Sequence, residues 1–75
     1  MEDSVQDRLV RFGQRVRLRR EALGVSQAEL ARRVEVSERT LRSIEQGRDH
    51  TISTALRIAD VLGIGIDRDD PTEPR

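Results

Sequence analysis

Glu38, Arg39, Thr40, Arg42 and Ser43 put five hydrogen-bonding side chains into six residues, with Leu41 among them and Ile44 next. On a helix this spacing turns Leu41 and Ile44 to one side and the polar set to the other. The chemistry of such a set is recognition of a charged surface. Arg39 can bond guanine bidentately, Glu38 can accept from a cytosine amino group or merely stabilise a helix N-terminus, and Arg42 suits a base or a phosphate. The surrounding charge points the same way. Between Arg8 and Arg48 lie eleven arginines and five glutamates, so the middle of the chain is strongly basic and the flanks strongly acidic within a net charge of zero. A compact DNA reader with solvating ends needs positive charge on one face only; a solvated, arginine-rich helix surface is the plainer alternative. Every basic residue is Arg, which reads as composition bias more than function.

Other chemistries find little to work with. One histidine, no cysteine, no paired metal-ligand spacing and no Gly-rich phosphate loop assemble no catalytic constellation, so no enzyme, cofactor or metal site is expected. Phe12, the sole aromatic, argues against a single-strand binder, which stacks bases on aromatic side chains. The lack of cysteine fits a reducing compartment. No run approaches the roughly 18 apolar residues of a membrane span, and the MEDSVQD start is acidic where a secretory signal is basic. A cytoplasmic location without membrane contact is expected.

The elements that must position the polar set read as all-α, because apolar residues recur at three and four and no long run alternates. Seventy-five residues allow one core, burying about 60% of the unfolded chain's surface. The first helix runs roughly from Val5 to Leu23, with Val5, Leu9, Phe12, Val16 and Leu23 on one stripe and Gly24 as its stop. The second opens at Ser26-Gln27-Ala28-Glu29, a capping-box pattern; Ala28, Leu30, Ala31 and Val34 form its apolar face, and it breaks near Glu35. Ser37 offers the N-cap of a third helix reaching Gln46, with Leu41 and Ile44 inward and Gly47 closing it. A fourth, about Ile52 to Leu62, carries Ile52, Ala55, Leu56, Ala59 and Leu62 on one face and ends at Gly63. Two short helices over a tight turn need a small residue where they cross, and Ala31 supplies it. With that crossing fixed by Leu30, Val34, Val36, Leu41 and Ile44, the first turn of the third helix can enter a major groove about 12 Å wide. The division expected is a flexible N-terminus over 1–4, a helix-turn-helix DNA-binding domain over 5–66 and a flexible acidic tail over 67–75.

The stretch SQAELARRVEVSERTLRSIEQG, preceded by LRREALGV and followed by TALRIADVLGI, resembles the phage-repressor (Xre/Cro-like) helix-turn-helix family over roughly residues 12–66. Ser26-Gln27, Leu30-Ala31, Val36-Ser37, Ile44-Glu45 and Gly47 all fall in register. The resemblance implies a lambda-repressor-like bundle of four to five short helices, with a recognition helix beginning at Ser37 and a two-fold dimer on palindromic DNA. It makes Glu38, Arg39, Arg42 and Ser43 candidates for base reading, and Gln27, Ser37, Thr40, Arg48, His50 and Thr51 candidates for phosphate contact. It also gives Gln27 a buttressing role, against the alternative of a plain exposed glutamine. Arg20 and Glu45 match an internal salt bridge, against two independent surface charges.

Three departures stand out. Glu35 occupies a turn position that relatives commonly give to Gly in a left-handed conformation. The loop after Gly47 lacks a common proline and is one residue shorter. Asp69 and Asp70 stand where a fifth helix usually ends in apolar residues, leaving Ile64 and Ile66 as the apolar contacts there, so only a weak homodimer is expected. The function implied is a sequence-specific regulator of transcription on double-stranded DNA, a repressor or autoregulator. An antitoxin with a toxin partner and a restriction-modification controller protein fit the same fold, as does a protein-interaction module that has lost DNA binding.

Overall fold

The computed structural model describes residues 4–66. It contains four helices, α1 (Val5–Ala22), α2 (Gln27–Val34), α3 (Glu38–Glu45) and α4 (Ile52–Leu62), and no strand among the described residues. The all-α class and the four helices follow the expectation. A fifth helix, and the dimer contacts weakened by Asp69 and Asp70, lie outside the described residues.

Each helix opens on a hydroxyl cap. Ser4, Ser26, Ser37 and Thr51 accept from the backbone N–H three residues on, satisfying a donor that the helix itself leaves open. Two details differ from the sequence reading. The reciprocal capping box forms at Ser4 and Asp7, so Ser4 is the N-cap of α1. At Ser26 only half of a box forms: the Glu29 carboxylate is taken by Arg32 and Arg33 on the next turn, where a charged partner outcompetes the Ser26 backbone.

The core joins Phe12 and Val16 of α1 to Leu30, Ala31 and Val34 of α2, Leu41 and Ile44 of α3, and Ala55, Ile58 and Leu62 of α4. Helix α3 packs against both α1 and α2, while α4 closes the other side of the same pair. Val5 and Leu23 are exposed, against expectation. The reason is length: the 18 residues of α1 span about 27 Å and the eight of α3 about 12 Å, so only the middle of α1 is covered. Ala28 is also exposed. On α4 the inward face is Ala55, Ile58, Ala59 and Leu62, an i, i+3, i+4, i+7 set, and Ile52 and Leu56 face solvent. Apolar residues cover more than half of this helix, so its periodicity left the phase open and packing against α1 and α2 decided it.

The turn between α2 and α3 is three residues long. Glu35 takes the left-handed conformation (φ 63°, ψ 44°), and the Val36 N–H reaches back to the Ala31 carbonyl at 3.0 Å. That six-to-one bond, with Val36 half-buried against the core, is a Schellman ending. A side chain in this conformation costs roughly 1–2 kcal/mol, and glycine removes it while making the unfolded chain more flexible. Glu35→Gly is therefore expected to stabilise the fold by a few tenths to about 1 kcal/mol. An unchanged or lower thermal midpoint would show that Glu35 bears no strain.

Candidate nucleic-acid interface

Three separate contacts fix the height and tilt of α3. From α1, Arg20 grips the end of α3: its Nε donates to Glu45 Oε2 at 2.7 Å and its Nη2 to Oε1 at 3.1 Å, while Nη1 donates to the Val25 carbonyl at 3.0 Å. The two side chains are only 11% and 4% exposed, so this is a buried bidentate pair rather than two surface charges. The hydrogen bonds that Arg20 donates to Glu45 raise its pKa above the ordinary value, burial opposes this, and the Glu45 and Glu21 charges add to the rise. Arg20 therefore stays cationic at any pH the fold meets. From α2, Gln27 Nε2 donates to the same Glu45 Oε1 at 3.1 Å, the buttressing role expected of it.

The third contact was not read from the sequence. Gly13, buried in the middle of α1, lies under the last turn of α3; a Cβ there would stand 3.0 Å from the Glu45 carbonyl oxygen and closer still to that of Ile44. Gly47, with φ 91°, meets Val10 in the same way. A lone glycine inside a helical pattern is the signal that marks such an approach.

Held this way, α3 turns Leu41 and Ile44 into the core and leaves Glu38, Arg39, Thr40 and Arg42 exposed with Ser43 half-buried. The four candidate base readers, Glu38, Arg39, Arg42 and Ser43, and the phosphate candidate Thr40 thus stand clear of the core, Ser43 the least exposed of them. Ser37 accepts from the Thr40 N–H at 2.9 Å and donates to Thr40 Oγ1 at 2.9 Å. Thr51 likewise caps α4 through Thr54. These two N-termini and that of α2 at Gln27 present backbone donors of the kind that hold phosphate.

The arginines divide sharply. Arg15 donates to the carbonyl of Gly65 just beyond α4, Arg19 to that of Leu62 at the end of α4, and Arg57 to that of Val34 at the end of α2. Cations there offset the negative end of each helix, so they serve the fold. Arg17 pairs with Glu21, Arg32 and Arg33 with Glu29, and Arg42 with Glu38 at 3.6 Å. The side chains of Arg39 and Arg48 are exposed and make no hydrogen bond or ion pair among the described residues. His50, proposed for phosphate, is half-buried with its ring stacked on Phe12 at 5.4 Å and its Nδ1 3.2 Å from the Arg48 carbonyl. Its ring extends the core and fixes the loop that carries Arg48.

Among known families, the profile of the helix-turn-helix domain matches residues 11–70. The chain belongs to the helix-turn-helix domain family. The match covers α2, the left-handed turn at Glu35 and α3, and extends beyond the 12–66 stretch on which the resemblance was read. A protein of Archaeoglobus fulgidus, provisionally named an HTH-type transcriptional regulatory protein, is 42% identical over 50 residues. These residues are 67% of this chain and 16% of that relative, so the chain corresponds to less than a fifth of the relative's length. No helix among the described residues is long and apolar enough to cross a membrane.

Proposed function

We propose that this helix-turn-helix domain is a sequence-specific regulator of transcription, of the phage-repressor type, that places the first turn of α3 in the major groove of duplex DNA. The observation that carries this reading is Arg39: exposed, without a partner among the described residues, and mounted in the Ser37-capped first turn of a helix whose other face is locked in the core. That turn is the part of a recognition helix that reaches base edges. Around it, Gln27, Ser37, Thr40, Arg48 and Thr51 are assigned to phosphates, setting register without carrying sequence information. The relative's name supports transcription as the process. Repression or autoregulation in the cytoplasm, as a weak homodimer strengthened by half-sites about 10 base pairs apart, completes the reading.

The experiment is a salt titration of duplex binding by fluorescence anisotropy. Binding through phosphates predicts that log K falls with log salt by about 0.9 for each phosphate neutralised. Arg48→Ala is expected to weaken every duplex alike and to shallow the slope by about one unit. Binding that ignores salt, or an Arg48→Ala variant with an unchanged slope, would contradict the assignment.

A further inference from the structure

The outward face of α3 carries one carboxylate, and it is engaged. Glu38 holds Arg42 across one helical turn at 3.6 Å, with both side chains about half exposed, while Arg39 between them has no partner among the described residues. A helix N-terminus stabilises a negative side chain whatever the helix does, which alone accounts for a carboxylate at Glu38. Its placement asks for more. The turn that carries it approaches a polyanion, and the major groove offers a carboxylate only two partners, the amino groups of cytosine and adenine; guanine, the thymine carbonyl and every phosphate present acceptors.

We propose that Glu38 is a second specificity-determining residue of this face beside Arg39, acting as an internal competitor for Arg42. Every base pair carries one such amino group, so its strand decides: where the base facing Glu38 is guanine or thymine, the carboxylate finds no donor, keeps Arg42 paired, and so withholds a cation from the DNA. Where a cytosine or adenine amino group stands opposite, the carboxylate exchanges Arg42 for that donor, and Arg42 is released to the duplex. One site therefore gains two contacts together, while other sites gain neither. The contrast comes from weakening the wrong complexes as much as from strengthening the right one. This rests on α3 being the base-reading helix.

Glu38→Gln keeps the shape and removes the charge. Its test compares binding to a preferred duplex, selected from a random pool, with binding to a scrambled one across a range of salt. Freeing Arg42 is expected to tighten the scrambled duplex about twofold, the worth of an exposed i, i+4 ion pair, and to steepen its salt slope by about 0.9. The preferred duplex should gain little or weaken, so the ratio between the two falls. Adding Arg42→Ala to Glu38→Gln should return the scrambled duplex to its original affinity and slope. Equal gains on both duplexes would reduce Glu38 to general repulsion, and a lowered melting temperature with unchanged slope and ratio would reduce it to a helix cap; either result overturns the proposal. A parent chain that binds no duplex is seen before any variant is made, and overturns the reading beneath the proposal as well.

Discussion

Arg20→Ala is expected to destabilise the domain by about 3–5 kcal/mol, because it leaves the Glu45 carboxylate buried beside Gln27 with its charge uncompensated. Small domains have total stabilities near the low end of about 5–15 kcal/mol, so much of this variant should be unfolded at room temperature. The loss also cuts the tie to the Val25 carbonyl that holds the loop before α2. Breaking a buried pair and replacing it are different operations. Arg20→Met combined with Glu45→Met removes both charges together, and hydrophobic replacement of a buried pair is often neutral or better. That double variant should recover most of the stability yet lose the anchor for Gln27, and with it the fixed attitude of α3. Urea unfolding of the single and double variants measures both. An Arg20→Ala midpoint within about 1 kcal/mol of the parent would mean that water reaches Glu45 and that the pair is in effect a surface one.

The second large effect is expected at Gly13. Alanine is ordinarily the better helix former by about 1 kcal/mol, so propensity alone predicts that Gly13→Ala stabilises α1. The added methyl, however, meets the carbonyl oxygens of Ile44 and Glu45, which are backbone and cannot swing aside. Helix α3 must move away from α1, stretching the Arg20–Glu45 pair and opening the core at Ile44. Overpacking of this kind costs about 1–3 kcal/mol and sometimes more, and the upper end applies where backbone blocks backbone. A thermal melt decides the sign: a lower midpoint supports the close approach, and a higher one would show propensity winning.

Much of this arrangement was legible in the residues because local signals agreed with one another. Hydroxyl caps at Ser26 and Ser37, the breaks at Gly24, Gly47 and Gly63, and the inward pair Leu41 and Ile44 each determine a helix from a few neighbouring residues. The left-handed backbone at Glu35 was legible only through the resemblance, because relatives commonly give that turn position to Gly. What could not be read depends on partners distant in sequence. The Gly13 contact needs α3 to be in place, and the arginines of α1 cannot be sorted into structural and free until the carbonyls at the end of α4 are seen beside them. His50 shows the same limit, since only the fold brings it onto Phe12. Ile52 and Leu56 mark a third kind, where a helix apolar over more than half its circumference has no unique inward face until packing chooses one.

The most direct test of α3 as the base-reading helix is Arg39→Ala, measured by anisotropy on a preferred duplex and on a scrambled duplex at one salt concentration. A bidentate contact to guanine predicts a loss of about 1–3 kcal/mol on the preferred duplex, a much smaller loss on the scrambled one, and relaxed preference at a single base pair. Equal weakening of both duplexes would contradict it, making Arg39 a phosphate clamp and moving base reading to Arg42 or Ser43.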